Sequence, residues 1–336
     1  MKKKIILAIT IILCLLVVVY IIKKRRGSQV QKQTRFVMDT YCTIQIPGKK
    51  EVIPFIEKSF QRVEEIDKKF NVLNQESPLF NFNQKNETIV DKEICDLVSI
   101  ALQVSKDSDG SFDITVYPLL KLWGFYSGNY TVPEKERIGE SLTMVGYENV
   151  VTRDDTLLKI DDNIALDLGG IAKGYALKEA VKELKKAGVS SALVDLGGDL
   201  YALGTHNGKP WKVGIRNPRG EGVIGVLEVS DICVVTSGDY ERFFEKDGIK
   251  YHHIINPKTG YPARDMASVT VICKDAVKAD AWSTALFVME PDKALSTAEE
   301  IPYLEALVVT SKGKVLFSSG LKDDMELSNV ETGDDT

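Results

Sequence analysis

The sequence predicts an α+β fold, one domain of mixed helix and sheet behind a single N-terminal transmembrane helix. Three observations predict it: a charge-free apolar run at the N-terminus, apolar stripes at three- and four-residue steps, and a succession of short β-rich runs in the second half.

Residues Ile5 to Ile22 carry no charge and lie between Lys2-Lys3-Lys4 and Lys23-Lys24-Arg25-Arg26. A stretch of that length suits a membrane-crossing helix, so residues 1–26 are expected to form an uncleaved anchor. A removed signal peptide is the competing reading. Its apolar core is usually shorter, and no small-x-small site follows this one. Leu13 stands before Cys14 where lipid attachment would need a small residue, which leaves Cys14 as an apolar helix residue. Basic residues flank both ends, so charge alone leaves the orientation open.

Behind the anchor the expected layout is a polar tether at 27–34, a domain at 35–322 and an acidic, frayed tail at 323–336. Without residues 1–26 the chain has 36 basic and 48 acidic residues, a formal charge of −12. That sign argues against nonspecific binding of nucleic acid or anionic lipid by the domain.

Phe36 to Ile46 alternates as a first strand. Val52, Ile56, Phe60, Val63, Ile66 and Phe70 then mark an amphipathic helix. A second helix, from Asp91 to Lys106, is expected to bury Ile94, Leu97, Val98, Ala101 and Leu102 and to stop at Asp109-Gly110. A third, Ala172 to Ala187, closes at Gly188 and leads into Ser191 to Gly198, a strand ending in a glycine turn. Further strands are expected at Trp211–Ile215, Gly225–Val229, Ile232–Thr236, Ser268–Cys273, Ala306–Thr310 and Val315–Ser318. Cys42, Cys95, Cys233 and Cys273 form no Cys-x-x-Cys pair, which argues against zinc. They read as buried thiols, with two disulfides as the alternative in an oxidising compartment.

Three segments carry candidate chemistry. Asp167 to Gly174 is a glycine-rich turn entering a helix, a shape that lets backbone amides approach phosphate, or simply a strand-to-helix turn that needs glycine. Its spacing is not that of a Walker A loop. Asp280 and Thr284 stand at i and i+4 on one helix face, oxygen ligands for a hard cation such as Mg²⁺, or a cap and a core hydroxyl. Of the three histidines, His206 reads as exposed loop, while His252 and His253 enter an Asn-Pro-x-Thr-Gly turn that could hold a base or a hydrogen-bonded turn residue.

Taken in order, Met38-Asp39-Thr40, Gly110 to Leu119, Leu122-Trp123-Gly124-Phe125, Asp167 to Gly174, Val194 to Asp199, Thr236 to Arg242, His253 to Gly260 and Ala279 to Thr284 resemble the ApbE family of Mg²⁺-dependent FAD:protein FMN transferases. The resemblance runs from Met38 to about Phe317. It implies an ApbE-like, T-fold-related catalytic domain in which an acceptor Ser or Thr hydroxyl attacks the FMN-side phosphorus of FAD, releasing AMP. Carried onto this sequence, the metal falls to Asp280, Thr284 and the Gly170 main-chain oxygen; FAD to Met38, Asn83, Asp113, Lys173 and Ile254; and the base to His253. Asp39 replaces the glycine usual in the opening motif. Asn81 lies two residues before Asn83 and would face the same way along a strand.

The implied partners are FAD and acceptors with FMN-binding domains, of Rnf-type, sodium-pumping quinone reductase or other extracytoplasmic flavoproteins. Such acceptors imply a single-pass protein of the cell membrane whose catalytic domain lies outside the cytoplasm. An FAD pyrophosphatase using water in the same site, and a surface flavin-binding protein without turnover, are the rival readings.

Overall fold

The computed structural model describes residues 29–85, 88–321 and 325–327; the expected anchor and most of the expected tail lie outside them. From the N-terminus come strands β1 (Val30–Val37) and β2 (Thr40–Pro47), helices α1 (Ile53–Phe70) and α2 (Pro78–Lys85), strand β3 (Ile89–Val90), and helices α3 (Lys92–Asp107), α4 (Tyr117–Leu122) and α5 (Lys135–Leu142). Then follow β4 (Val150–Arg153), β5 (Thr156–Lys159), α6 (Gly169–Lys186), β6 (Ala192–Leu196), β7 (Asp199–Leu203), β8 (Trp211–Arg216) and β9 (Val223–Val229). The chain closes with β10 (Ile232–Gly238), β11 (Phe243–Lys246), β12 (Ile249–His252), β13 (Met266–Cys273), α7 (Ala276–Val288), α8 (Pro291–Glu300), β14 (Leu304–Thr310), β15 (Val315–Phe317) and β16 (Met325–Leu327).

Eight strands form one antiparallel sheet in the order β1-β2-β6-β7-β10-β13-β14-β15. Helices cover one face through a cluster that includes Phe60, Leu97, Leu177 and Leu286. A three-stranded sheet, β16-β9-β8, covers the other through Trp211, Ile224 and Leu227. Lying between both layers, β13 buries all eight of its residues. A third cluster, around Trp123, joins α4 and α5 to the β11–β12 hairpin.

Local chemistry explains the helix ends. Asp91 caps α3 by accepting from the Ile94 amide at 3.0 Å, and Asp275 caps α7 through Val277 at 3.0 Å. Helix α7 is apolar nearly all round, which suits a helix buried on every side. It crosses α6 at Gly174, where an added Cβ would lie 2.2 Å from the Ala276 carbonyl oxygen and 2.7 Å from Asp280 Cβ.

Two expectations at the ends of the domain need correction. The stretch assigned to a tether is strand from Val30 onward, and the single strand expected from Phe36 is a hairpin. Its turn, Met38-Asp39, has φ of 54° and 57°, a left-handed pair that favours Asn-Gly, so the sequence carried no turn signal there. At the other end Met325–Leu327 pairs with β9, inside the stretch assigned to the frayed tail. Among the described residues no helix is long and apolar enough to cross a membrane. Cys42, Cys95, Cys233 and Cys273 are all buried and free, and burial pushes the Cys42 thiol up to about 12.

Candidate active site

A cavity of about 520 Å³ opens where the β1–β2 turn, the N-terminus of α6, the end of β10 and helix α7 meet. Its walls include Met38, Asp113, Gly170, Lys173, His253, Ile254, Asp280 and Thr284, eight of the nine residues singled out from the sequence.

The ninth, Asn83, is elsewhere. It lies on α2, a helix rather than a strand, and its side-chain amide brackets Leu166, donating to the Leu166 carbonyl and accepting from its amide, both at 2.8 Å. The amide therefore braces the segment leading to the glycine-rich turn, while remaining off the cavity wall. Asp113 is in the wall, but both carboxylate oxygens are already engaged, Oδ1 by the Thr115 amide and hydroxyl at 2.7 and 2.6 Å and Oδ2 by the Tyr147 amide at 3.0 Å. Burial raises its pKa against those bonds.

The polar floor is built by α6 and α7. Lys173 forms an ion pair with Asp199, which is fully buried and also accepts from the Thr236 amide at 3.1 Å. Burial opposes the charge on Lys173, yet the carboxylates of Asp199 and Asp280 outweigh it and raise the pKa, so the ammonium persists. Asp280 Oδ2 accepts from the Gly174 amide at 2.7 Å, a donor that helical register would direct to the Gly170 carbonyl. Burial, then Asp199, raises the Asp280 pKa, against the pull of Lys173. Thr284 Oγ1 stands 3.4 Å from Ser237 Oγ, and a Cβ on Gly170 would lie 3.3 Å from the same Thr284 oxygen.

That donor set fits a hard cation. It offers one buried carboxylate, one hydroxyl and an adjacent main-chain segment, all oxygen. Among the described residues no group of three or more His, Cys, Asp or Glu is arranged for a metal, so a cation here would complete its shell with phosphate oxygens and water.

The two histidines separate clearly. His252 is buried; its Nε2 donates to the Ala263 carbonyl at 2.6 Å and its Nδ1 accepts from the Ile254 amide at 3.2 Å, so neither nitrogen is free. His253 lies in the cavity wall, with Nδ1 directed to the Arg242 carbonyl at 3.3 Å, leaving Nε2 as the acceptor. Burial, and after it Arg242, lower its pKa to about 3, so the imidazole is neutral at neutral pH. His206, expected as exposed loop, packs partly against Trp211.

The walls also hold residues for which no role was apparent from the sequence. Tyr126 donates to Asp167 Oδ2 at 2.6 Å, while Asp167 Oδ1 accepts from the Gly169 amide at 2.7 Å and so fixes the first turn of α6. Arg242 donates to the Phe125 carbonyl at 2.7 Å. Asp167 and Arg242 stood inside quoted motifs, but nothing in their spacing set them apart.

The arrangement has relatives. The ApbE family model matches residues 38–308. An FAD:protein FMN transferase of Treponema pallidum is 34% identical over 316 residues, covering 87% of each chain, and one of Escherichia coli is 31% identical over 85% of each. The crystal structure of the ApbE protein from Thermotoga maritima superposes with a TM-score of 0.83 at 36% identity, covering 88% of this chain and 99% of that one. The flavin transferase ApbE from Vibrio cholerae gives 0.79 at 28% identity, over 88% and 99%. The mixed α/β architecture is the ApbE fold, and the chain belongs to the ApbE family.

Proposed function

We propose that this ApbE-family enzyme is an Mg²⁺-dependent FAD:protein FMN transferase that moves FMN from FAD to a Ser or Thr hydroxyl of an acceptor protein and releases AMP. The observation that carries the reading is the convergence of Lys173, Asp280, Thr284, Gly170 and His253, far apart in sequence, on one cavity. Its relatives carrying the same activity in their names support it.

The step conserves atoms simply. The acceptor oxygen forms a bond to the FMN-side phosphorus, the bond from that phosphorus to the bridging oxygen breaks, and AMP leaves with the electron pair. His253 Nε2 is the atom that takes the hydroxyl proton, a contribution of about 10²–10⁴-fold in rate. Lys173, held cationic by Asp199, offsets the pyrophosphate charge. Asp280, Thr284 and the Gly170 main-chain oxygen would hold the cation, with the Gly174 amide orienting the Asp280 carboxylate. Bound there, Mg²⁺ would supply Lewis-acid polarisation of the phosphoryl oxygens. Met38 and Ile254 supply apolar wall for FAD.

Acceptors with FMN-binding domains, of Rnf-type, sodium-pumping quinone reductase or other extracytoplasmic systems, follow from this reading. The apolar run Ile5 to Ile22 supports single-pass anchoring with residues 27–336 outside the cytoplasm. Asp280→Ala tests the site: turnover should lose its Mg²⁺ dependence and fall at least a hundredfold, while a wild-type rate at limiting Mg²⁺ would refute the assignment. Protease protection of the domain on intact cells would reverse the topology.

A further inference from the structure

Beside the cavity mouth one face of the sheet carries no cover among the described residues. Phe36 and Tyr41 are cross-strand partners in the β1–β2 hairpin, edge to face with ring centroids 5.6 Å apart, and each is 67% exposed. No other aromatic side chain among the described residues is as exposed. Behind them on the same face Thr34 and Thr43 share a hydroxyl hydrogen bond of 2.9 Å. The second sheet, which covers the main sheet from β6 onward, takes Leu193, Leu200 and Val234 into its apolar cluster but no residue of β1 or β2. Among the described residues nothing pairs with the outer edge of β1.

The aromatic rings near the β11–β12 hairpin differ: Tyr130 stacks on Phe244 at 5.2 Å, and Phe244 on Tyr251 at 5.2 Å, so those rings already have partners within the chain. Among the described residues, Phe36 and Tyr41 have only each other as ring partners. The turn between them, Met38-Asp39, forms part of the cavity wall, which makes the bare face continuous with the mouth.

We propose that the outward face of the β1–β2 hairpin docks the acceptor protein, with Phe36 and Tyr41 as its anchoring contacts. The inference rests on the transferase reading and adds where the second substrate binds. A protein hydroxyl must enter a cavity of about 520 Å³ while the rest of the acceptor stays outside, so the docking surface has to adjoin the mouth. Exposed aromatic rings bury large apolar area with little loss of side-chain entropy, which is why they dominate interfaces. A mixed border of Thr34, Thr43 and Lys32 suits a partner that also exists free in solution.

The test uses the full chain, FAD, Mg²⁺ and a purified FMN-binding domain of an Rnf-type flavoprotein as acceptor. In Phe36→Ser/Tyr41→Ser, acceptor KM should rise about tenfold or more, with FAD affinity, read by flavin fluorescence, unchanged. Thr34→Arg, which adds bulk and charge to the same face while leaving both rings in place, should raise acceptor KM too. Unchanged acceptor KM in both variants would overturn the surface, as would a parallel loss of FAD affinity, which would assign the rings to the cavity. Loss of self-association or of vesicle binding with acceptor KM intact would assign the face to a second copy or to lipid, and would overturn it equally. Failure of the wild-type chain to modify the acceptor while still cleaving FAD would strike the transferase reading itself.

Discussion

Gly174→Ala should destabilise this protein, although glycine to alanine inside a helix ordinarily stabilises by up to about 1 kcal/mol. The sign reverses because the new Cβ would stand 2.2 Å from the Ala276 carbonyl oxygen and 2.7 Å from Asp280 Cβ. An ordinary C···O contact is about 3.3 Å or longer, so α7 must retreat by roughly 1 Å. Overpacking of that kind costs about 1–3 kcal/mol. Stretching the 2.7 Å bond from the Gly174 amide to the Asp280 carboxylate adds about 1.5–3 kcal/mol, as for a hydrogen bond to a charged group. Set against the propensity gain, the net loss is about 1.5–5 kcal/mol, or roughly 3–10 °C in Tm at about 2 °C per kcal/mol for a domain of this size. Gly139→Ala is the control: Gly139 is an exposed position in α5 whose Cβ would meet nothing within 4 Å, and it should stabilise. Thermal and urea unfolding of both variants give the answer. A Gly174→Ala protein as stable as wild type would refute the close crossing of α6 and α7, and with it the placement of Asp280.

Three further outcomes follow from the site. His253→Ala should lower turnover about 10²–10⁴-fold with FAD affinity nearly unchanged, whereas His252→Ala should keep the rate and lower Tm; the reverse pattern would exchange their roles. His252, held to a pKa of about 4 by burial, contributes stability that is complete above the unfolded value of 6.5 and is lost as pH falls toward 4, about 3 kcal/mol in all. Its alanine variant should accordingly show a flatter stability profile between pH 6.5 and 4, and an unchanged acid slope would contradict this. Asp199→Asn should cost roughly 2–3 kcal/mol in urea unfolding, because Lys173 is then left mostly buried without its carboxylate; a loss below about 0.5 kcal/mol would show that the pair is dispensable.

Periodic elements were legible in the sequence because their signal is local. Phe60, Val63, Ile66 and Phe70 line the buried face of α1 as their spacing implies, and Asp91 caps α3 where the stripe begins. The strands from β8 to β15 that the sequence pointed to are present within one or two residues at most ends. What escaped was non-local or lacked a local signature. Met38-Asp39 turns without glycine or asparagine, so the hairpin read as one strand. Asn83 stood in a segment with no clear period, and its place on α2 facing Leu166 is fixed by tertiary contact. Lys173 and Asp280 were marked by their motifs, but Asp199 of β7, which pairs with Lys173, is distinguished from the other acids of the chain only by the packing of α6, β7 and α7. The resemblance of ordered motifs identified the family, since no single motif carried enough on its own.

The central claim is tested most directly by mass spectrometry of a purified FMN-binding domain of an Rnf-type flavoprotein after incubation with the full chain, FAD and Mg²⁺, with AMP followed in the same reaction. The account predicts that a Ser or Thr of the acceptor gains FMN in phosphoester linkage, that AMP appears in equal amount, and that AMP release depends on the acceptor. Free FMN and AMP formed at the same rate without acceptor would contradict it in favour of a pyrophosphatase, and intact FAD recovered from the protein would leave a flavin-binding protein without turnover.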